Sequence, residues 1–180
     1  LSSEILYRIL NKGSLSDKFW ALRRVERAEI LDTKILETLL QMIGGDDYSL
    51  ARMALEALPQ SGIRMDSDQA AFFSVYDQVN YSMKRLILEK LHDVPNLSDT
   101  VLAVSRDLLP KLNGVQVGDI LQLYRAHKIE DQVTIYKVSD LLMNDNRFIS
   151  GKAYDFLLDF EDKDQSVATA LETYRMRNDQ

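Results

Sequence analysis

The chain has no cysteine among its 180 residues, and this absence excludes several kinds of chemistry at once. Without a thiol there is no disulfide, no thiolate nucleophile and no cysteine-ligated metal. Such a composition fits a reducing compartment, either the cytoplasm or an organelle matrix. We therefore expect an intracellular protein whose targeting signals lie outside this segment.

Glycine and proline are also scarce, at 7 and 3 residues. All-β and loop-rich proteins use many of these residues in their turns. The frequent residues are instead good helix formers such as alanine, leucine, glutamate and lysine. This balance predicts an all-α fold.

Two further features are missing: a long apolar run and an excess of positive charge. No hydrophobic segment is long enough to span a bilayer, so we expect no membrane partner. The net charge of −6 is unlike that of a general nucleic-acid binder. One local exception is a basic run from Arg8 to Arg27. Because the chain begins at Leu1 and not at methionine, we expect it to be a piece of a longer protein.

The clearest positive signal is a duplicated stretch. Residues 48–58 read YSLARMALEAL, and residues 81–91 read YSMKRLILEKL. Tyrosine, serine, arginine, leucine and glutamate recur at matching places, all with the offset that separates Tyr48 from Tyr81. Self-similarity with a period of about 33 residues indicates stacked helical repeats.

Predicted helix caps support the same period, because a short acceptor side chain satisfies the free amides of a helix start. The second helices of the repeats are predicted to begin at Asp32, Asp66, Ser98, Asp131 and Asp164. The steps between these residues are 34, 32, 33 and 33. Among the first helices, one is predicted to begin at Ser16 or Asp17, and the next at Asp46.

Together these patterns predict a right-handed α-α superhelix, or α-solenoid, of about five antiparallel helix pairs. We interpret residues 1–180 as a single helical-repeat domain, in which residues 1–15 form a capping helix or half a repeat. The predicted repeats are about 16–45, 46–79, 80–112, 113–144 and 145–180.

Two resemblances accompany this pattern. The helix at residues 48–58, the turn at Pro59 and the helix predicted at Asp66 resemble the repeats of the HEAT and armadillo superfamily. That resemblance implies an elongated surface for protein partners. The segment 108–142, with Asp119-Ile120-Leu121 between apolar helices, is similar to the helical repeats of FAST-kinase-like and RAP-domain organellar proteins. The second resemblance implies a role in RNA processing.

The basic run includes the first candidate partner-binding residues, Trp20, Arg23, Arg24 and Arg27. Arginine and tryptophan are favoured at the energetic centres of protein interfaces. The alternative is a solvated helix face, with Trp20 filling the junction to the first helix.

The duplicated stretch supplies four more candidates: Tyr48, Arg52, Tyr81 and Arg85. Aligned arginines and aromatic rings can bind phosphates, an acidic peptide or single-stranded nucleic acid. The alternative is that each arginine pairs with the glutamate four residues later and each tyrosine packs under the preceding loop.

Other polar groups have simpler interpretations. An acidic cluster suits a basic peptide or a cation, or else solvated faces and helix starts. Its members are Asp155, Asp159, Glu161, Asp162 and Asp164. His92 and His127 have no convincing second ligand nearby, and a metal site needs three or four. The pair Asp66 and Asp68 coincides with a predicted helix cap.

No phosphate-binding loop, nucleophile elbow or zinc-protease motif is present in the sequence. We therefore expect a non-enzymatic protein without cofactor or metal, which acts as a scaffold or adaptor for a protein or peptide. The alternative hypothesis is an RNA-binding module of an organellar RNA-processing factor. A third hypothesis, a HEAT-like DNA glycosylase, would require a basic cleft that the composition does not suggest.

Overall fold

A computed structural model describes residues 2–161 and 163–178 of the chain. These residues form eleven α-helices and no strand, so the predicted all-α fold is confirmed. In chain order the helices are α1 Ser3–Lys12, α2 Leu15–Val25, α3 Thr33–Ile43, α4 Tyr48–Ala57, α5 Asp66–Phe73, α6 Tyr81–His92, α7 Asp99–Leu108, α8 Gly114–Ala126, α9 Gln132–Ser139, α10 Arg147–Leu158 and α11 Gln165–Asn178.

Every second helix, beginning with α2, starts at a capping residue whose side chain accepts a backbone hydrogen bond. These N-caps lie at equal intervals along the chain, at Ser14, Asp47, Asn80, Asn113 and Asn146. The predicted starts at Ser16 or Asp17 and at Asp46 were therefore wrong by one to three residues. Asp17 lies inside α2, where its carboxylate accepts from the Ser14 amide at 3.1 Å and completes a capping box.

The intervening helices, α3 to α11, follow the same period. Asp32, Ser98, Asp131 and Asp164 accept backbone hydrogen bonds at 2.9 to 3.2 Å, as predicted. The predicted cap at Asp66 was wrong, because the N-cap of α5 is Met65 and Asp66 is the first helical residue. Asp66 and Asp68 lie in the first turn, where the helix dipole favours negative charge. With Met65 in place, the intervals between these five starts are equal, and they match those of the first series.

The chain divides into two compact units, Leu1–Val101 and Leu102–Gln180. In the first unit α1 packs on α2 and α3, α4 packs on α2, α3 and α6, and α5 packs on α6. The core of this unit contains the same position of successive repeats, since Val25, Leu58 and Leu91 are equivalent in the sequence and all buried. Burial of one apolar stripe per helix is what stabilises these short helices.

The second unit has α8 against α10, and α9 against both α10 and α11. A polar contact lies within its core. The Tyr124 hydroxyl and the Ser105 hydroxyl are 2.7 Å apart, and both side chains are buried. Burial raises the pKa of Tyr124 to about 12. At the edge of the same unit, Arg106 donates to Thr134 and Asp131, each at 2.8 Å.

We expect this phenol to make the protein sensitive to alkali. The pKa of Tyr124 in the folded protein is above its ordinary value of 10.0. The neutral phenol therefore stabilises the folded state fully below pH 10, and this stabilisation is lost as pH rises toward about 12. Tyr124→Phe should lower stability by about 1 kcal/mol at neutral pH, because a buried hydrogen bond is lost. The test is urea denaturation of both proteins from neutral to alkaline pH. A constant difference between them would contradict the prediction, since the wild-type advantage should shrink above pH 10.

Candidate partner-binding surface

The first candidate surface lies on α2 and the turn after it. Trp20, Arg23 and Arg24 follow the spacing i, i+3, i+4 and share one face of α2, and Arg27 follows in the turn after the helix; all four are exposed. We call these four residues the basic stripe. The Trp20 side chain is 43% exposed, and the Arg24 guanidinium lies 5.3 Å from its ring centroid. This distance is typical of a cation–π contact.

The three arginines of the basic stripe differ from those that form ion pairs elsewhere in the chain. In the described ranges, no carboxylate lies within salt-bridge distance of Arg23, Arg24 or Arg27. Arg52, Arg85, Arg106, Arg125 and Arg177 each have such a partner. The basic stripe therefore leaves three guanidinium groups with unused charge-assisted hydrogen-bonding capacity.

The duplicated stretch places its tyrosines at the first residues of α4 and α6 and its arginines one turn further along each helix. Tyr48 and Tyr81 are exposed at 44% and 41%. Arg52 Nε lies 2.8 Å from Glu56 Oε1, and this hydrogen bond raises the pKa of Arg52. Arg85 is 3.9 Å from Glu89. The predicted pairing of each arginine with the glutamate four residues later is confirmed.

A cleft between α4 and α6 was not anticipated from the sequence. Its walls contain Leu55, Glu56, Gln60, Leu86, Glu89, Lys90 and Asp93. The Lys90 ammonium donates to the Leu58 carbonyl at 2.7 Å, and burial lowers the pKa of Lys90. Lys90 therefore satisfies the carboxyl end of α4 instead of facing a ligand. The sequence gives no clear signal for this role, because the repeat position of Lys90 holds Arg24 in one repeat and the apolar residues Ala57 and Leu123 in others.

Two members of the acidic cluster, Asp159 and Asp164, make local contacts. Asp159 pairs with Arg125 at 2.7 Å. Asp164 caps α11, and hydrogen bonds from Tyr136 and the Val167 amide hold the pKa of Asp164 at about 2. Asp162 lies outside the described residues.

The histidines and carboxylates do not assemble into a metal site in the described part of the chain. The His92 Nδ1 lies 3.1 Å from the carboxylate of its exposed neighbour Asp93. Within residues 2–161 and 163–178, no three histidine, aspartate or glutamate side chains converge as metal ligands would. No helix in this part of the chain is both long enough and apolar enough to cross a membrane.

No protein-family model matches this sequence, and no curated protein and no solved structure matches it either. The function must therefore be argued from the residues and their contacts.

Proposed function

We propose that this chain is an α-solenoid of five antiparallel helix pairs that acts as a non-catalytic scaffold or adaptor. Support for the architecture comes from the two series of helix starts, which share one constant interval. Contacts between alternate helices also support it, with α2 on α4 and α4 on α6 in one unit, and α8 on α10 in the other. Stacked repeats bury a continuous core and leave an extended surface for a partner.

The observation that carries this proposal is the set of exposed rings and arginines at equivalent repeat positions. Tyr48 and Tyr81 begin successive first helices, and their helices pack on one another. Tyrosine and tryptophan side chains that are exposed in the free protein and buried on binding supply much of the binding energy in many protein interfaces. The partner class favoured by these residues is a protein or a peptide.

A second candidate function is RNA binding, and the basic stripe is the observation that favours it. Three unpaired guanidinium groups beside an exposed indole can contact phosphates and a base. Arg52 and Arg85 favour RNA less, because Glu56 and Glu89 offset their charges. Binding of this kind should weaken steeply as salt rises.

The test is affinity purification of the whole protein from its native cells, with and without nuclease. We expect a defined set of proteins to co-purify in both cases. Tyr48→Ala/Tyr81→Ala should reduce their recovery about tenfold, as expected when interface anchors are removed. Met65→Ala/Met143→Ala is the control, because it truncates two large side chains outside the duplicated stretch that are 66% and 58% exposed. The RNA alternative would replace the scaffold proposal if all partners are lost after nuclease treatment and RNA co-purifies in the untreated sample.

A further inference from the structure

The basic stripe on α2 can be compared with the same positions in the following repeats. At the position of Arg23, the second, third and fifth repeats have Glu56, Glu89 and Asp155. The position of Arg27 is likewise acidic in two later repeats, at Asp93 and Asp159. The first repeat has therefore reversed the sign of its charge at two places where other repeats are acidic.

The fold does not require this reversal. Glu56 and Glu89 are exposed at the equivalent places on α4 and α6, and each pairs with an arginine four residues earlier. In the first repeat, the residue four before Arg23 is Phe19, so that intrahelical partner is replaced by an apolar ring. An acidic residue at position 23 would thus be compatible with the helix, and arginine there needs another explanation.

We propose that the basic stripe binds a short acidic segment of a partner protein. This inference rests on the scaffold function proposed above and names the chemistry of its partner. The three guanidinium groups, at i, i+1 and i+4, can meet carboxylates that lie about one helical turn apart on a partner peptide. The exposed indole of Trp20 provides an adjacent surface for one apolar side chain of that segment.

The surroundings favour a short acidic peptide over a nucleic acid. α4 packs directly on α2 and presents Glu56, and α6 follows with Glu89. A phosphate backbone that continued past the basic stripe would meet arginine–glutamate pairs without net positive charge, so its further phosphates would gain little. A peptide with only a few acidic residues can end before it reaches them.

The chain offers a direct reporter of binding, because Trp20 is its single tryptophan. The probe is a capped peptide of about twelve residues in which glutamates alternate with alanines and leucines at helical spacing. Titration into this 180-residue chain should change the Trp20 fluorescence saturably. A single-stranded oligouridylate of equal length is the competing probe and should bind more weakly.

The decisive variant is Arg23→Glu/Arg27→Glu, which introduces the acidic character of the later repeats. We expect it to weaken peptide binding about 30-fold, since two charge pairs become two repulsions. Arg64→Glu/Arg147→Glu has the same change in net charge at exposed arginines outside the stripe and should bind within about twofold of wild type. The reversed variant should instead bind the same peptide with lysine in place of glutamate.

Several outcomes would overturn the inference. They are equal weakening by both double variants, tighter binding of the oligouridylate, and no gain of lysine-peptide binding by the reversed protein. Circular dichroism and thermal unfolding identify any variant that fails to fold. If peptide binding fails while partner recovery still depends on Tyr48 and Tyr81, the acidic-segment inference falls and the scaffold proposal stands. If the peptide binds but recovery does not depend on those tyrosines, the acidic-segment inference stands, and Tyr48 and Tyr81 are not the partner anchors.

Discussion

Gln69→Leu should destabilise the protein by about 2–4 kcal/mol, although it places an apolar residue at a buried position. The Gln69 side chain is only 1% exposed, and its amide makes two hydrogen bonds to the segment before α7. Nε2 donates to the Asn96 carbonyl at 2.9 Å, and Oε1 accepts from the Ser98 amide at 2.9 Å. Leucine would leave both backbone groups without these partners, and the Ser98 amide belongs to a buried residue.

Comparison of the repeats predicts instead that Gln69→Leu stabilises the protein. Leu36, Leu102 and Ile135 occupy the position of Gln69 in other repeats, and all three are buried. A substitution toward the commonest residue type usually stabilises a repeat protein slightly. The sign of the change therefore decides whether the pattern or the specific contact dominates at this site.

Urea denaturation followed by circular dichroism would measure the effect, with hydrogen exchange at the Ser98 amide as a local probe. Exchange at that amide should accelerate in the variant, because its acceptor is gone. The control is Gln78→Leu, where the same chemical change falls on an exposed side chain. We expect the control to lie within about 0.5 kcal/mol of wild type. A stabilised Gln69→Leu protein would show that water or a neighbouring group replaces the lost bonds.

Helix starts could be predicted from the sequence, whereas contacts between repeats such as those of Gln69 could not. A helix start depends on nearby residues, because a cap needs only a short acceptor side chain two or three residues before a backbone amide. Asp32, Asp131 and Asp164 were therefore predicted correctly. Met65 was missed because it caps without a side-chain bond, and the acidic neighbour Asp66 gave the stronger local signal.

Contacts between repeats follow a different rule. Gln69 meets residues 27 and 29 positions away, and the Lys90 ammonium reaches the carbonyl of a residue 32 positions earlier. No local pattern marks either contact, because each depends on how one helix is placed against the next. The same limit applies to the candidate surface. Helical spacing places the basic stripe on one face, but its lack of carboxylate partners depends on three-dimensional packing.

Phe156→Ala should have the largest effect on the second unit, a loss of about 3–5 kcal/mol. The ring is 1% exposed, and three groups surround it. The Tyr124 and Phe160 rings lie edge-on at 6.3 and 5.1 Å between centroids, and the Arg125 guanidinium lies 5.4 Å from its centroid. Alanine would leave a cavity lined by groups that relax only partly. Chemical denaturation would measure the loss.

Phe148→Ala supplies the matched control, because it removes the same atoms from a side chain that is 52% exposed. The covered part of this ring contacts Gly114 and lies beneath the Lys152 ammonium, so we expect a smaller loss of about 1 kcal/mol. Similar losses in the two variants would mean that Phe156 is not a core anchor, and that the aromatic contacts around it contribute little.

The alkaline response gives Phe156→Ala a second, independent outcome. Phe156 packs against the ring whose hydroxyl titrates at about pH 12 in the folded protein. A cavity beside Tyr124 that admits water should bring the pKa of Tyr124 down toward its ordinary value of 10.0, since burial is the main cause of the shift. The variant then lacks the stabilisation linked to the neutral phenol at every pH. Wild type has this stabilisation below pH 10 and loses it between pH 10 and about 12. The difference in stability between the two proteins should therefore narrow as pH rises through this window. A constant difference would mean that the cavity stays dry, because an apolar space that excludes water leaves the burial of the phenol unchanged.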